Sequence, residues 1–432
     1  MSRLVRQLAA LDAAPRLRLA GRLTQLSGLS LEAAMAGVRL GDLVEVDRPG
    51  TPLLAEVVGL REDRAVLLPL GDPVGVGLDA EVRPTGRALD VGAGRGLLGR
   101  VLDGLGRPID GRPLPAGLVR WPVDRPPPPP LERRPVVEPL VFGVRAIDGL
   151  LTAGRGQRLG LFAGAGVGKS TLLGQLARGA RADLSVICLV GERGREVREF
   201  VEEALGEEGL RRSVVVVATS DQPALVRLRA ATVATAIAEW FAEQGAEVLF
   251  LLDSVTRFAR AQREVGLAAG EPPARQGYPA SVFQALPRLL ERTGNRARGG
   301  ITAVYTVLVA GGDLDEPIAD EVRGILDGHI VLERRLAEQG HFPAIDPLAS
   351  ISRVMPRVTG TSHREAAARV RALLAALEQT RDLVRLGAYQ PGSDPVTDRA
   401  LARREALEAF LRQPAGPFEP LEGTLARLEA LA

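Results

Sequence analysis

Ala163-Gly164-Ala165-Gly166-Val167-Gly168-Lys169-Ser170-Thr171 holds the only lysine of a 432-residue chain. Of the 55 basic residues, 54 are arginine. The stretch follows a short apolar run, Arg158–Ala163, and precedes a helical pattern over Thr171–Arg178. Strand, glycine-rich turn and helix in that order make a phosphate-binding P-loop. Glycines let backbone N–H groups face phosphate oxygens, and the helix N-terminus adds a favourable field. The lysine must reach between the β- and γ-phosphates as a compact charge on a thin stem, a slot that arginine's planar fork does not fit. A chain that uses arginine everywhere else makes its one exception here. The first position is Ala163 rather than glycine, a departure from the strict pattern. The loop implies a nucleoside triphosphatase in which Gly164, Ala165, Gly166, Val167, Gly168, Lys169, Ser170 and Thr171 hold the phosphates and Ser170 ligates Mg²⁺.

Around the loop the pattern is α/β. Apolar runs at Arg158–Ala163, Ser185–Val190, Val214–Ala218, Glu247–Leu252 and Ile301–Val309 predict strands, several followed by helical patterns such as Ala224–Glu243. That is the signature of a mostly parallel sheet buried on both faces. From Leu19 to about Arg87, β-prone pieces (Leu43–Val46, Ala55–Val58, Ala65–Leu68, Glu81–Pro84) alternate with Gly, Pro and Asp turns and predict a small β-barrel. Residues 88–125 read as a Gly- and Pro-rich connection, and Pro126–Pro130 as a stiff polyproline spacer. An SH3-type ligand is the other use of such a run. Beyond about Arg357 the chain reads as helical, at Arg364–Glu378, Arg399–Leu411 and Leu421–Leu431, and residues 1–18 as a short helical or frayed extension.

Hydrophobic content of 46% and charged content of 25% are those of a soluble globular protein. Net charge is +2, so the isoelectric point near 9.1 reflects a small arginine excess and does not argue for nucleic acid. One cysteine, Cys188, cannot form an internal disulfide, which fits a reducing compartment and a small buried core residue. Met1–Leu11 lacks a signal-peptide core, and no run of about 18 apolar residues predicts a membrane span.

Three further segments carry chemistry. Glu247–Asp253 is an apolar run ending in an acid, and such an aspartate downstream of a P-loop holds Mg²⁺ through water. Gly191-Glu192-Arg193-Gly194-Arg195-Glu196 follows the Cys188 run. A carboxylate at a strand's C-terminal end faces the ligand crevice, so Glu192 is a candidate general base and Arg193 a phosphate contact; a solvated charge run is the competing reading. Pro343–Arg353 reads as a turn-rich loop ending in arginine, and Arg353, offered to a neighbour's γ-phosphate, would stabilise the transition state. On the residues alone, a plain surface loop is the better reading of that segment.

"AGAGVGKST" (163–171), "GERGRE" (191–196), "LLDSVTRFAR" (251–260) and "PAIDPLASISR" (343–353), in this order, resemble the catalytic subunits of rotary ATP synthases and their secretion relatives. "GLLGRVLDGLGRPIDG" (96–111), "PPARQGYPASVFQALPRLLERTG" (272–294), "DEPIADEVRGILDGHIVLERRLAEQGHFPAIDPLASISRVM" (315–355) and "RLGAYQPGSDP" (385–395) narrow the resemblance to the type III secretion ATPases of flagella and injectisomes, from about residue 20 to about 400. The resemblance implies an extension (1–18), a β-barrel (19–87), a linker (88–139), a RecA-like ATPase core (140–356) and a helical domain (357–432). It implies that Lys169 and Ser170 bind phosphate and Mg²⁺, that Glu192 activates water, that Arg193 and Arg257 lie near the phosphates, that Asp253 is the second-strand acid, and that Arg353 is the finger donated across a subunit interface. Phe342 and Tyr389 would flank the adenine ring, although either aromatic serves equally as core. It also implies a homohexamer at the cytoplasmic face of the inner membrane, energising protein export with a stator, a central stalk, export-gate proteins, secreted substrates and chaperones as partners.

One segment departs from the family. Ala310-Gly311-Gly312-Asp313 stands where these ATPases usually read Glu-Gly-Asp-Asp, which leaves any role of the two missing acids in doubt but not phosphate binding. The catalytic subunit of an ion-pumping rotary ATPase is the first alternative. A ring-shaped RNA translocase is a second, and it lacks support: no Phe, Tyr or Trp precedes Trp121, so the predicted barrel offers no base-stacking platform. A non-enzymatic scaffold would require Lys169, Glu192, Asp253 and Arg353 all to be relics.

Overall fold

The computed structural model describes residues 19–28, 30–416 and 418–432; the extension read at residues 1–18 lies outside them. The chain divides into two compact units at Leu89/Asp90.

In the first unit, Gly21–Ser27, Ser30–Ala34, Asp42–Val46, Leu53–Arg61, Arg64–Pro69 and Glu81–Ala88 close an antiparallel barrel, leaving no free edge. Its interior is aliphatic, with Leu23, Leu31, Val44, Val57 and Leu67 among the inward side chains. The four strand pieces read from the sequence belong to it. The first two strands escaped that reading because Gly21–Ser27 buries only Leu23 and otherwise carries exposed or half-exposed residues.

The second unit is built on a nine-stranded sheet among the described residues. Its order is Ile345–Ser352, Gly328–Leu332, Arg158–Ala163, Gly300–Leu308, Glu247–Asp253, Leu184–Glu192, Ser213–Thr219 and Arg100–Asp103, with Gly294–Asn295 paired beside Gly300–Leu308. All but Gly294–Asn295 and the edge strand Ile345–Ser352 run parallel. Helices cover both faces, so Leu184–Glu192 is buried from end to end and reads as a continuous apolar run. The five strands expected here are present, differing from the sequence reading by a residue or two at their ends.

Two expectations are corrected. Residues 88–125 are more than connection. Arg100–Asp103 forms the outermost parallel strand against Ser213–Thr219, and Asp90–Ala93 pairs with Val119–Pro122. At four residues each, these strands are too short to show a period. Pro343–Arg353 is not a turn-rich loop: Ile345–Ser352 is the antiparallel edge strand. It resembles a loop because it is bulged. Pro347 has no N–H to give, the Asp346 carboxylate accepts from the N–H of Leu348 (2.8 Å) and Ala349 (3.1 Å), and Ser350 Oγ accepts the Val331 N–H at 2.9 Å in place of a ladder carbonyl. An edge tolerates all three.

The C-terminal helices are Thr361–Arg385, Pro395–Ala402, Arg404–Leu411 and Leu421–Leu431; the run read as one helix over Arg399–Leu411 breaks at Arg403. Val370, Leu373, Phe410 and Leu428 share one apolar cluster with Leu140, Ile147 and Leu176, so these helices and the flank of the P-loop helix are packed as one body. Burial on that scale, at about 25 cal/mol per Å² of apolar surface, outweighs the modest contribution of any one surface ion pair.

Candidate active site

The P-loop turns at the C-terminal end of Arg158–Ala163, and its helix runs Lys169–Gly179. Gly166 (φ 76°) and Gly168 (φ 85°) sit in the left-handed region, where a side chain is strained. Val167 between them is buried and anchors the turn. Ser170 and Thr171, on the first helical turn, are exposed.

The strand order brings three distant acids and bases to the same crest. Lys169 Nζ contacts Asp253 Oδ1 and lies 3.4 Å from Glu192 Oε1. Asp253, at the end of its strand and buried, also accepts a hydrogen bond from Thr306 Oγ1 at 2.7 Å. Arg257, from the helix Val255–Ala268, donates to the Gly191 carbonyl and sits 3.1 Å from Glu192 Oε2. Ser254 fixes that helix's start by accepting the Arg257 N–H at 3.3 Å. The P-loop lysine is thus flanked by two carboxylates.

Glu192 is buried, and its carboxyl is pushed up to about 7. Burial is the main cause, followed by a hydrogen bond that the protonated Glu192 carboxyl donates to Glu196 and the charge of Asp253; Lys169 and Arg257 pull the other way. The same hydrogen bond holds Glu196 below the usual carboxylate range. Cys188, beneath them, is fully buried and its thiol is pushed well up by desolvation, which makes it core rather than nucleophile.

The remaining candidates divide. Phe342 is at the loop: a β-carbon at Gly168 would lie 3.3 Å from its ring, and 45% of the residue is exposed. The segment bonded beside it comes from a region that the sequence reading passed over. The Phe342 carbonyl accepts the Gln413 N–H at 2.9 Å, and Gln175 and Arg178 of the P-loop helix donate to the carbonyls of Pro414 (3.1 Å) and Ala415 (3.0 Å). Tyr389 is not brought into this group. Its hydroxyl is committed to Asp398 Oδ1 (3.0 Å) and the Asp394 carbonyl (3.2 Å), and it makes no ring contact with Phe342 among the described residues. Arg193 begins the helix Gly194–Glu199 with its side chain 77% exposed, 3.8 Å from Glu196, and does not join the Lys169–Glu192–Asp253 cluster.

Arg353 is at the other end of the sheet. Ala163, which leads into the P-loop, is level with Leu332, whereas Ser352 is level with Gly328 four residues earlier along the same strand. That is about 13 Å of strand rise. The Arg353 N–H is tied to the Asp327 carbonyl at 3.0 Å, and its side chain is exposed with no carboxylate within ion-pair distance among the described residues. Thr306 is the site residue that the sequence did not single out, hidden as it is within an apolar run.

Ser170 and Asp253 offer hard oxygen donors, and no cluster of three or more His, Cys, Asp or Glu capable of caging a metal exists among the described residues. That donor set fits a Mg²⁺ ion shared with phosphate oxygens rather than a cation held by protein alone.

Fold and crest together define a P-loop nucleotide-binding protein of the rotary ATPase type. Residues 143–352 match the ATP synthase alpha/beta family nucleotide-binding domain, 23–86 the β-barrel domain of that family, and 359–430 the T3SS EscN ATPase C-terminal domain. The chain is 52% identical over 416 residues to a flagellum-specific ATP synthase of Bacillus subtilis, covering 95% of this chain and 94% of the relative. It is 51% identical over 413 residues to a type 3 secretion system ATPase of Xanthomonas euvesicatoria, with 95% and 93% covered. The assembled ATPase EscN of the enteropathogenic E. coli type III secretion system superposes with a TM-score of 0.91 at 46% identity, covering 95% of this chain and 99% of that one. The chain therefore belongs to the flagellar and type III secretion ATPases. No helix among the described residues is long and apolar enough to cross a membrane.

Proposed function

We propose that this chain hydrolyses ATP with Mg²⁺ as a homohexamer whose active sites lie between subunits, and that hydrolysis drives substrate unfolding and chaperone release during type III protein export. The observation that carries the shared site is the position of Arg353. It is exposed, unpaired by any described carboxylate, and about 13 Å along the sheet from its own loop, which supports a role at a site on another copy.

Binding of the triphosphate moves Lys169 from Asp253 and Glu192 to the phosphates. The Ser170 hydroxyl and, through water, Asp253 would hold Mg²⁺, which supplies charge neutralisation on the phosphates. Thr306 keeps Asp253 oriented. Glu192 orients water and takes its proton as the new bond to the γ-phosphorus forms and the bond to ADP breaks; the carboxyl near 7 suits a base at neutral pH. Arg257 and Arg193 belong to the phosphate surroundings, and Arg353 of the neighbouring copy offsets charge developing on the transferred group. The adenine lies against Phe342, with residues 413–415 beside it. The barrel (19–87), core (140–356) and helical region (357–432) are the chain's functional parts. An assembled relative has been solved in complex with its central stalk, which supports a stalk partner here. Stator, export-gate proteins and peripheral placement at the cytoplasmic face of the inner membrane complete the reading.

The test is ATPase rate against protein concentration, with light scattering for mass on the same samples. Specific activity rising steeply as hexamers form is expected. A constant rate from monomers throughout would place the whole site in one chain and remove Arg353 from it.

A further inference from the structure

Most crevice cations are already neutralised. Lys169 is held by Asp253 and Glu192, and Arg257 by Glu192 and the Gly191 carbonyl. A triphosphate brings several negative charges to this crest, and one cation beside the loop has no carboxylate within ion-pair distance among the described residues: Arg334. It follows directly on the strand Gly328–Leu332, which pairs with the P-loop strand, and opens the short helix Arg334–Glu338. A β-carbon added at Gly164, the first residue of the turn, would meet Arg334 Nη2 at 3.7 Å and the Val309 carbonyl at 3.8 Å. The guanidinium thus overhangs the strand end of the phosphate loop.

The backbone beneath it is fixed. The Glu333 N–H donates to the Ala344 carbonyl at 2.8 Å, and the Glu333 carboxylate accepts the Arg335 N–H at 3.2 Å. The next residue shows the contrast: Arg335 turns away and pairs with Glu378 at 3.2 Å. Two consecutive arginines therefore have different tasks, one tying the core to the C-terminal helices and one left over the loop.

We propose that Arg334 binds the terminal phosphate of the bound nucleotide and makes the loop favour triphosphate over diphosphate. The inference rests on reading 163–171 as a phosphate loop. The helix N-terminus at Gly168–Lys169 receives the inner phosphates, so the strand end at Gly164 faces the outer one. An arginine fork there meets two phosphate oxygens at once.

The experiment is calorimetric binding of Mg-adenylyl-imidodiphosphate and of Mg-ADP to the full chain, at a concentration where it is monomeric. Arg334→Ala weakens the triphosphate analogue about tenfold and leaves ADP within about twofold, as expected for a charge-assisted contact at an open site. Arg334→Lys recovers only part of the loss, because a point charge replaces the two-pronged contact, and Arg335→Ala leaves the ratio of the two affinities as in the wild type. An unchanged ratio in Arg334→Ala, or the same loss in Arg335→Ala, overturns the proposal. Lys169→Ala separates the two levels. If it binds both nucleotides normally, the phosphate-loop reading fails and this proposal with it; if it loses both while Arg334→Ala keeps the wild-type ratio, only the role of Arg334 is lost.

Discussion

Replacing Glu192 by glutamine pits burial against ion pairing at one carboxylate. Glu192 has Lys169 at 3.4 Å and Arg257 at 3.1 Å, yet its carboxyl rises from 4.5 to about 7, so desolvation, with Glu196 and Asp253 beside it, outweighs both cations. Such a rise corresponds to about 3 kcal/mol. Solvent reaching the crevice and the opposite shift of Glu196 reduce this to about 2 kcal/mol. The sign follows from proton counting. Between pH 4.5 and 7 the folded state holds more protons at this group than the unfolded state, so its contribution to stability falls as pH rises through that window and is lowest above it. Glutamine keeps the volume and never ionises. Lys169 retains Asp253, and Arg257 retains the Gly191 carbonyl. Glu192→Gln is therefore expected to be more stable than wild type by about 2 kcal/mol at pH 8 and nearly equal to it at pH 5. For a unit of this size that is about 3 °C in Tm. Thermal unfolding of both proteins in EDTA without nucleotide, at pH 5 and pH 8, measures it. ATP turnover of the same samples should fall at least about a hundredfold, because an amide cannot take the proton. A lower Tm for Glu192→Gln at pH 8 would refute the reasoning: Glu192 would then be a stabilising ion-pair partner rather than a base kept at a cost to stability.

Other outcomes follow from the same geometry. Arg353→Ala should bind Mg-ATP as a monomer with wild-type affinity and lose about a thousandfold in hexamer turnover. Mixing it with Lys169→Ala protein should restore activity, and no rescue at any ratio would count against a finger acting in trans. Gly168→Ala places a β-carbon 3.3 Å from the Phe342 ring at φ 85° and should weaken Mg-ATP binding about tenfold in a titration, from strain of about 1–2 kcal/mol. Phe342→Ala should raise KM for ATP with kcat little changed in steady-state assays, because the role proposed for the ring is to stack on adenine rather than to act at the reacting atoms. Tyr389→Phe should leave KM unchanged, since its hydroxyl serves Asp394 and Asp398.

Much of the site is legible in the sequence, because its chemistry is written locally. Lys169 and its glycines are neighbours along the chain, and the spacing that cradles a phosphate is a covalent spacing. Buried parallel strands announce themselves as apolar runs, and strands ending in Glu192 and Asp253 point to a crevice. The readings that failed were those in which local pattern and global pairing disagree. Ile345–Ser352 carries a proline and turn-forming hydrogen bonds because it is a bulged edge, so its residues resemble a loop until Gly328–Leu332 lies beside them. Arg100–Asp103 is a strand only because Ser213–Thr219 supplies its partner.

By itself, then, the sequence determined a P-loop at Ala163–Thr171, a parallel α/β core, a barrel before it and helices after it. All of these rest on periodicities of a few residues, set by backbone geometry. Only the tertiary structure decided which distant groups meet. It placed Glu192 and Asp253, 23 and 84 residues from Lys169, on that lysine. It put Phe342 at the loop and tied the Tyr389 hydroxyl to Asp398, set Thr306 against Asp253 and Arg334 near Gly164, and carried Arg353 to the far end of the sheet. Strand order and register follow from burying the whole core at once, and no stretch of chain encodes them alone.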